Sequence, residues 1–185
     1  RPNYSIISEE NGVEMNKDKS NSWIIDPIDG TINFLHGIPH FAISIALKSN
    51  NEIICGLIFD PIKDEMFYAE KNNGAYLNNK RIRVSKKNNI QECLFATSGT
   101  LEKKMEFSYR KSGSAALDMA YIACGRYDGY FQKKLQLWDI AAWLILVGEA
   151  GGVTNEINLE NYKDHKIIAS SADIYEELMK KINNF

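Results

Sequence analysis

Apolar and polar residues alternate over short stretches in the first half of the chain, as they do in β-strands with one buried face. Within residues 41–48, for example, Phe41, Ile43, Ile45 and Leu47 share one face. The same reasoning predicts strands at residues 41–48, 53–60, 65–70, 75–77 and 81–84. The Asn-Asn-Gly sequence at residues 72–74 is typical of a hairpin turn. Together these features predict an antiparallel meander.

A helical period appears in the second half. Ser114 is a suitable N-cap for a helix that continues to residue 125, and residues 138–149 are so uniformly apolar that they predict a helix buried on all sides. Further strands are predicted at residues 92–97, 127–131 and 166–169, and an amphipathic helix at residues 173–182. Residues 11–22 are polar without a period, which predicts a loop. We expect one α/β domain over residues 1–185, with an antiparallel, metal-binding lobe at 1–90 and a second α/β lobe at 91–185.

Composition narrows the class of protein. The 185 residues include 44% hydrophobic and 25% charged residues, which is ordinary for a globular domain, and the net charge of -2 argues against nucleic-acid binding through a basic surface. Three widely spaced cysteines indicate buried thiols in a reduced, cytoplasmic protein. No apolar run reaches the roughly 18 residues of a membrane span.

The residues with candidate chemical roles are concentrated at positions 23–34, where three apolar residues directly precede the sequence Asp-Pro-Ile-Asp-Gly-Thr. Asp26 and Asp29 cannot both enter an apolar core unpaired, so we expect them at the mouth of a strand, sharing a cation. Oxygen ligands suit Mg²⁺. Gly30 and Thr31 follow with backbone N–H groups in a position to bind phosphate.

Two stretches carry a family resemblance. The sequence DPIDGTINF at residues 26–34 and the sequence WDIAAWLILVGEAGG at residues 138–152 resemble, in the right order, the two signatures of the inositol monophosphatase family, and the chain is most similar to its bacterial extragenic-suppressor type. The resemblance implies a layered α/β/α/β/α sandwich of the sugar phosphatase type and a homodimer. It also implies hydrolysis of inositol 1-phosphate, or a similar polyol or sugar phosphate, by water activated by two or three Mg²⁺ ions, with inhibition by Li⁺.

The same resemblance assigns roles to individual residues. Its implied metal ligands are the carboxylates of Glu9, Asp26, Asp29 and Asp139 and the carbonyl oxygen of Ile28. Its implied catalytic residues are Glu9, Asp26 and Thr31, with Thr31 orienting the attacking water. Its implied substrate-binding residues are Ile28, Asp29, Gly30, Thr31, Gly113, Ser114, Ala115, Gln132 and Asp139.

The chain also departs from the family pattern. It lacks the family's N-terminal pair of helices, including an Asp that assists the threonine, and only residues 99–109 occupy the place of an internal helix and strand. We therefore expect a fragment or a truncated product with one sheet face uncovered, which would promote association. Gln132 stands where the family typically has Glu, which weakens the expectation of inositol as the substrate.

Alternative functions remain open at this point. Relatives with the same signatures act on fructose 1,6-bisphosphate or 3′-phosphoadenosine phosphates, although the chain lacks an extended basic pocket for a second phosphate. Bacterial relatives of the extragenic-suppressor type are associated with RNA polymerase, so an impaired phosphatase that binds the transcription machinery is a further hypothesis. A degenerate product without activity is the last.

Overall fold

The computed structural model describes residues 1–99, 105–159 and 166–182. The first sheet contains β1 (Tyr4–Ser8), β2 (Gly12–Glu14), β3 (Asp18–Asp29), β4 (Ala42–Ser49), β5 (Glu52–Asp60), β6 (Glu65–Glu70), β7 (Gly74–Leu77) and β8 (Lys80–Arg81). Its strand order is β2-β1-β3-β4-β5-β6-β7-β8. Strands β3 to β8 form the predicted antiparallel meander, whereas β1 pairs with β3 in parallel.

The second sheet contains β9 (Leu94–Ala96), β10 (Ser108–Arg110), β11 (Gly129–Lys133), β12 (Gly152–Thr154) and β13 (Lys166–Ser171), in the order β10-β9-β11-β13-β12. The helices are α1 (Thr31–Leu35), α2 (Ala115–Ala123), α3 (Leu137–Glu149) and α4 (Ala172–Ile182). Among the described residues, the strands of the first sheet precede residue 82 and those of the second follow residue 93. The proposed division into two lobes near residue 90 is compatible with this arrangement and stays a prediction.

The elements stack in layers. Helix α3 packs on the first sheet, α2 lies against both α3 and the second sheet, and α4 covers the far side of the second sheet. The order is therefore β/α/β/α, which is the predicted layered sandwich without its outermost helical layer. The place of the missing internal helix includes residues 100–104, which lie outside the described residues. No helix in the described ranges combines the length and apolar character needed to cross a membrane.

A row of small residues lets α3 approach the first sheet closely. Ala46, Gly56 and Ala69 are paired across β4, β5 and β6. A Cβ atom added to Gly56 would lie only 2.4 Å from the carbonyl oxygen of Ala142 on α3. Helix α3 is apolar on nearly every side because it is enclosed between this row and the rest of the core.

The opposite face of the first sheet carries large apolar side chains. The large residues of β4 do share a face, as predicted, but it is the half-exposed one, while Ala42 and Ala46 point into the core. Ile45, Leu47 and Leu57 line an open groove of about 700 Å³ on this face, beside Trp23 and Tyr68. Within the part of the chain that the structure describes, no element covers the groove, and the association expected from an uncovered face stays a prediction.

The prediction of a loop at residues 11–22 is wrong. These residues form β2 and the first part of β3, with Ile7 paired to Val13 and Ser5 paired to Ser22. Both strands are solvent-exposed for much of this length, so no buried face imposed an apolar alternation on the sequence. Strand β8 is also shorter than predicted, since it ends at Arg81.

The close approach of α3 predicts opposite effects of one substitution at two glycines. Gly56→Ala forces the sheet and α3 apart, so we expect it to lower the free energy of unfolding by about 1–3 kcal/mol. Gly148→Ala adds a Cβ atom with nothing within 4 Å, on an α-helix. We expect it to be neutral or stabilising by up to about 1 kcal/mol. Denaturant unfolding of both variants is the measurement, and equal stability of Gly56→Ala and the wild type would contradict the packing argument.

Candidate metal and phosphate site

A β-bulge places the two aspartates of the first motif on the same side of the sheet. Residues three apart on a regular strand point to opposite faces. Here Asp26 pairs with Ser44 and Asp29 pairs with Ala42, so β3 holds one more residue than β4 between the two pairs. Both carboxylates consequently point to the buried face. The backbone N–H of Ile28 donates to Oδ1 of Asp26 at 2.9 Å, which fixes the turn within the bulge.

The third carboxylate comes from the first turn of α3. Asp139 Oδ2 accepts a hydrogen bond from the backbone N–H of Gln136 at 2.7 Å, as part of a capping box that begins the helix. Because α3 packs directly against β3 and β4, its first turn reaches the end of β3. Oxygen atoms of Asp26, Asp29 and Asp139 all lie within 4.8 Å of one another, close enough to share a cation.

The amino end of α2 holds Asp29 in place. Its Oδ2 accepts hydrogen bonds from the Ser114 hydroxyl and, at 3.0 Å, from the backbone N–H of Ala116. Ser114 is also the N-cap of α2, accepting from the N–H of Leu117 at 3.3 Å. A carboxylate at this position is favoured by the helix dipole. The Ser114 hydroxyl is fully buried and is occupied by this contact, whereas the substrate contact predicted for Ser114 stays a prediction.

The carboxylates of the cluster repel one another. Among the described residues nearby, no positively charged side chain compensates this repulsion. Burial, together with the charges of Asp29 and Glu9, raises the pKa of Asp26 to about 8. Burial is also the main reason that the pKa of Asp139 rises to about 7 and that the pKa of Asp29 is raised. A divalent cation would reverse all three shifts, because it favours the ionised carboxylates.

Glu9 lies beside the cluster and outside it. The parallel pairing of Ser8 with Ile25 brings the end of β1 next to Asp26, and the Glu9 N–H donates to the carbonyl oxygen of Ile25 at 3.3 Å. Its side chain is exposed, and it is absent from the group of three whose oxygens approach within 4.8 Å. Its charge nevertheless contributes to the raised pKa values of Asp26, Asp29 and Asp139. The role of Glu9 as a ligand stays a prediction.

Gly30 joins the first motif to the turn before α2. It adopts a φ of 90°, and a Cβ atom there would lie 3.3 Å from both the Gly113 carbonyl oxygen and the Cβ atom of Ser114. The next residue, Thr31, begins α1 and donates its hydroxyl to the Ile28 carbonyl oxygen at 3.0 Å. Thus the carbonyl predicted to bind metal and the hydroxyl predicted to orient water are in direct contact.

Asn33 was not among the site residues predicted from the sequence. Its side-chain Nδ2 donates to the carbonyl oxygens of His40 at 2.8 Å and Ser112 at 2.9 Å, and so ties α1 to the turn that holds Asp29. Gly113 is required beside it, since a Cβ atom there would lie 2.9 Å from Asn33 Nδ2. In the sequence, the only indication was a polar residue within the short helix α1. The structure shows that this residue, Asn33, is buried.

Gln132 lies at the end of β11, half-buried, near the carboxyl edge of the second sheet. Its Oε1 accepts hydrogen bonds from the Tyr130 hydroxyl and, at 3.2 Å, from the backbone N–H of Ser98. Strand β11 is parallel to β9, so this edge is also where the residues after β9 emerge. The site residues predicted in the second half of the chain all lie at the ends of strands or the starts of helices. They are the turn at residues 113–115, Gln132 and Asp139.

The donor set fits a hard divalent cation. It consists of carboxylate oxygens, with the Ile28 carbonyl oxygen nearby and no sulfur or imidazole in the group of three. Burial, together with the neighbouring carboxylates, raises the pKa of Asp26 and Asp139, so ionising these groups is costly without a bound cation. Asp26, Asp29 and Asp139 therefore form a group of oxygen donors that could hold a hard divalent cation, and Gly30 and Thr31 directly follow the second of them in the chain.

These pKa values predict how stability depends on pH and on Mg²⁺. In the absence of metal, Asp26 and Asp139 stay protonated in the folded protein after they ionise in the unfolded chain, so their contribution to stability is fully present at low pH and is lost as the pH rises from about 4 to 8. The slope is about 1.4 kcal/mol per pH unit for each such carboxyl. We expect Mg²⁺ to raise the melting temperature more at pH 8 than at pH 5. Asp26→Asn is the control and should show a weaker dependence on both. An equal Mg²⁺ effect at the two pH values would contradict the argument.

Comparison with known proteins agrees with the site. The model of the inositol monophosphatase family matches residues 1–184. Nus factor SuhB of Haemophilus influenzae is 39% identical over 200 residues, which cover 98% of this chain and 74% of that protein. An inositol-1-monophosphatase of Caulobacter vibrioides is 34% identical over 202 residues, which cover 98% of this chain and 79% of that protein. The crystal structure of extragenic suppressor protein suhB from Bartonella henselae matches with a TM-score of 0.90 at 38% identity, covering 98% of this chain and 76% of that one. The chain therefore belongs to the inositol monophosphatase family.

Proposed function

We propose that this protein is a Mg²⁺-dependent phosphatase that hydrolyses inositol 1-phosphate or a similar small polyol or sugar phosphate. The observation that carries the proposal is the convergence of Asp26, Asp29 and Asp139 within 4.8 Å, beside the motif that contains Gly30 and Thr31. Membership of the inositol monophosphatase family supports phosphate ester hydrolysis. We propose two or three Mg²⁺ ions, a cytoplasmic location, inhibition by Li⁺ and a homodimer as further features.

In this proposal, separate residues bind the metal and the phosphate. Asp26, Asp29 and Asp139 hold the metal, with Glu9 and the Ile28 carbonyl oxygen completing the ligand set. Bound Mg²⁺ supplies a lowered pKa for the attacking water and charge to neutralise the phosphate and the leaving oxygen. The backbone N–H groups of residues 30 and 31 bind the phosphate oxygens as charge develops there.

Thr31 orients the nucleophilic water in this proposal. Its hydroxyl donates to the Ile28 carbonyl oxygen at 3.0 Å, which leaves the oxygen lone pairs of Thr31 to accept a hydrogen bond from a water molecule. Asp26 and Glu9 act beside it as the catalytic carboxylates.

Substrate binding falls to the second half of the chain. Because the Ser114 hydroxyl is bonded to Asp29, contacts from residues 113–115 to a substrate come from their backbone. Gly113 is exposed and leaves room for such an approach. Gln132 contributes its side-chain amide at the edge of the second sheet.

Replacing one metal ligand tests the proposal. We expect Asp26→Asn or Asp139→Asn to lower Mg²⁺-dependent phosphate release from inositol 1-phosphate by roughly 100-fold or more, because each removes a charge that holds the cation. The matched control is Asp64→Asn, the same change at an exposed turn residue whose φ of 52° suits asparagine.

EDTA should abolish the wild-type activity. Activity that survives EDTA, or an Asp26→Asn protein as active as wild type, would contradict the mechanism. A panel that adds fructose 1,6-bisphosphate and 3′-phosphoadenosine phosphate identifies the preferred substrate.

A second candidate function is binding to the transcription machinery. It is favoured by the relative named Nus factor SuhB, which is 39% identical. In this case the protein should bind purified bacterial RNA polymerase while releasing no phosphate. We expect binding to be equally strong for wild type and Asp26→Asn, since this function requires no bound cation. Absence of binding, together with Mg²⁺-dependent turnover, would exclude this function in favour of the first.

A further inference from the structure

Asp118, on α2, is a buried acid to which the proposed mechanism gives no role. Its side chain is fully enclosed, with 0% of its surface exposed, and neither of its carboxylate oxygens has a partner at hydrogen-bond geometry among the described residues. An unpartnered buried acid costs free energy of folding, and folded proteins leave few such groups. A side chain that is kept at this cost indicates a functional role.

Helix α2 places Asp118 next to the turn that holds Asp29. The backbone N–H of Asp118 donates to the carbonyl oxygen of Ser114, the N-cap residue, at 3.1 Å. Side chains on a helix lean towards its amino end, so the Asp118 carboxylate leans back towards the turn that begins α2. From this turn the Ser114 hydroxyl and the Ala116 N–H donate to Asp29.

Ser112 links Asp118 to that turn. Its Oγ accepts from the Ser114 N–H at 3.2 Å, and its carbonyl oxygen accepts from Asn33 Nδ2 at 2.9 Å. The proton of its own hydroxyl reaches the Ser114 carbonyl oxygen only at 3.3 Å, which is long for a bond between two oxygen atoms. The same hydroxyl lies near enough to Asp118 to lower the pKa of that carboxyl by hydrogen bonding. A hydroxyl proton rotates freely, and a carboxylate is the stronger acceptor.

The charges around Asp118 connect it to the cation site. Burial raises the pKa of Asp118 to about 7, and the charge of Asp29 adds to the rise. The charge of Asp118 in turn contributes to the raised pKa values of Tyr127 and Tyr130. No positively charged side chain of the described residues is among the groups that act on Asp118. A cation held by Asp29 would supply the compensating charge.

We propose that Asp118 is a positioning residue of the cation site, which accepts the Ser112 hydroxyl, fixes the turn that holds Asp29 and adds negative charge behind the bound cation. This inference rests on the cation site of the proposed phosphatase. Asp118 acts through Ser112 and touches neither metal nor substrate. Groups that orient a metal ligand in this way raise the affinity for the metal, and here they do so at a cost to the stability of the fold.

The proposal predicts that one substitution weakens metal binding and stabilises the metal-free fold. At pH 8 we expect Asp118→Leu, of similar volume and uncharged, to raise the melting temperature of the metal-free protein by about 3 °C. We expect the same variant to raise the dissociation constant of Mg²⁺, measured by calorimetry, by about tenfold. Asp118→Asn keeps an acceptor for the Ser112 hydroxyl, so its loss of affinity should be smaller.

Two further variants test the route and the specificity of the effect. Ser112→Ala should also weaken Mg²⁺ binding, and combining it with Asp118→Leu should add little, because both substitutions remove the same contact. Asp173→Leu is the control, since it makes the same change in the first turn of α4, on the far side of the second sheet, where the side chain is exposed. The dissociation constant of Mg²⁺ should be unchanged in this control.

The outcomes separate this inference from the proposed phosphatase function. Any one of three results overturns the inference: a dissociation constant in Asp118→Leu within twofold of wild type, weaker binding together with a lower melting temperature, or a double variant whose loss equals the product of the two single losses. If the wild type binds Mg²⁺ and releases no phosphate, the phosphatase function fails and the dissociation constants still decide the inference. If the wild type binds no Mg²⁺, both fail.

Discussion

The carboxylate of Asp29 connects the two parts of this chain. It belongs to the strand and turn of the first motif, yet its hydrogen-bond donors, the Ser114 hydroxyl and the Ala116 N–H, belong to the first turn of α2, more than 80 residues later. Asn33 reinforces the same junction by donating to the Ser112 carbonyl oxygen. A buried carboxylate without these donors would be strongly disfavoured. The geometry of the cation site therefore depends on the correct docking of α2 against β3.

Helix α3 imposes the second constraint. Its close contact with the first sheet demands small residues at Ala46 and Gly56, and it fixes how far the first turn of the helix reaches. Asp139 lies in that turn, so the packing of an apolar helix positions one of the three cation-binding groups. Stability and site geometry are thus set by the same interface. Large apolar residues are consequently confined to the opposite, half-exposed face of the sheet, where Ile45, Leu47 and Leu57 line an open groove.

The cluster of three carboxylates lowers the stability of the folded protein. Three carboxylates are held within 4.8 Å of one another, and burial and mutual repulsion raise the pKa of Asp26 to about 8. A protein selected for stability alone would replace such a group with neutral residues, because an uncompensated buried charge weakens the fold. A cluster of this kind is typical of a site that binds a cation and an anionic ligand together.

The sequence by itself determined the strands of the meander, the buried helix α3, the family and the residues Asp26, Asp29 and Asp139, because alternation, uniform apolarity and two long motifs are local properties of the chain. It did not reveal β2 or the first half of β3, whose exposed faces impose no apolar pattern. Only the tertiary structure decided that the bulge at residues 27–28 brings Asp26 and Asp29 to one face, that Ser114 donates to Asp29, and that Asn33 joins α1 to the turn before α2. Each of these depends on hydrogen bonds between segments that are distant in sequence, and such partners leave no periodic signal.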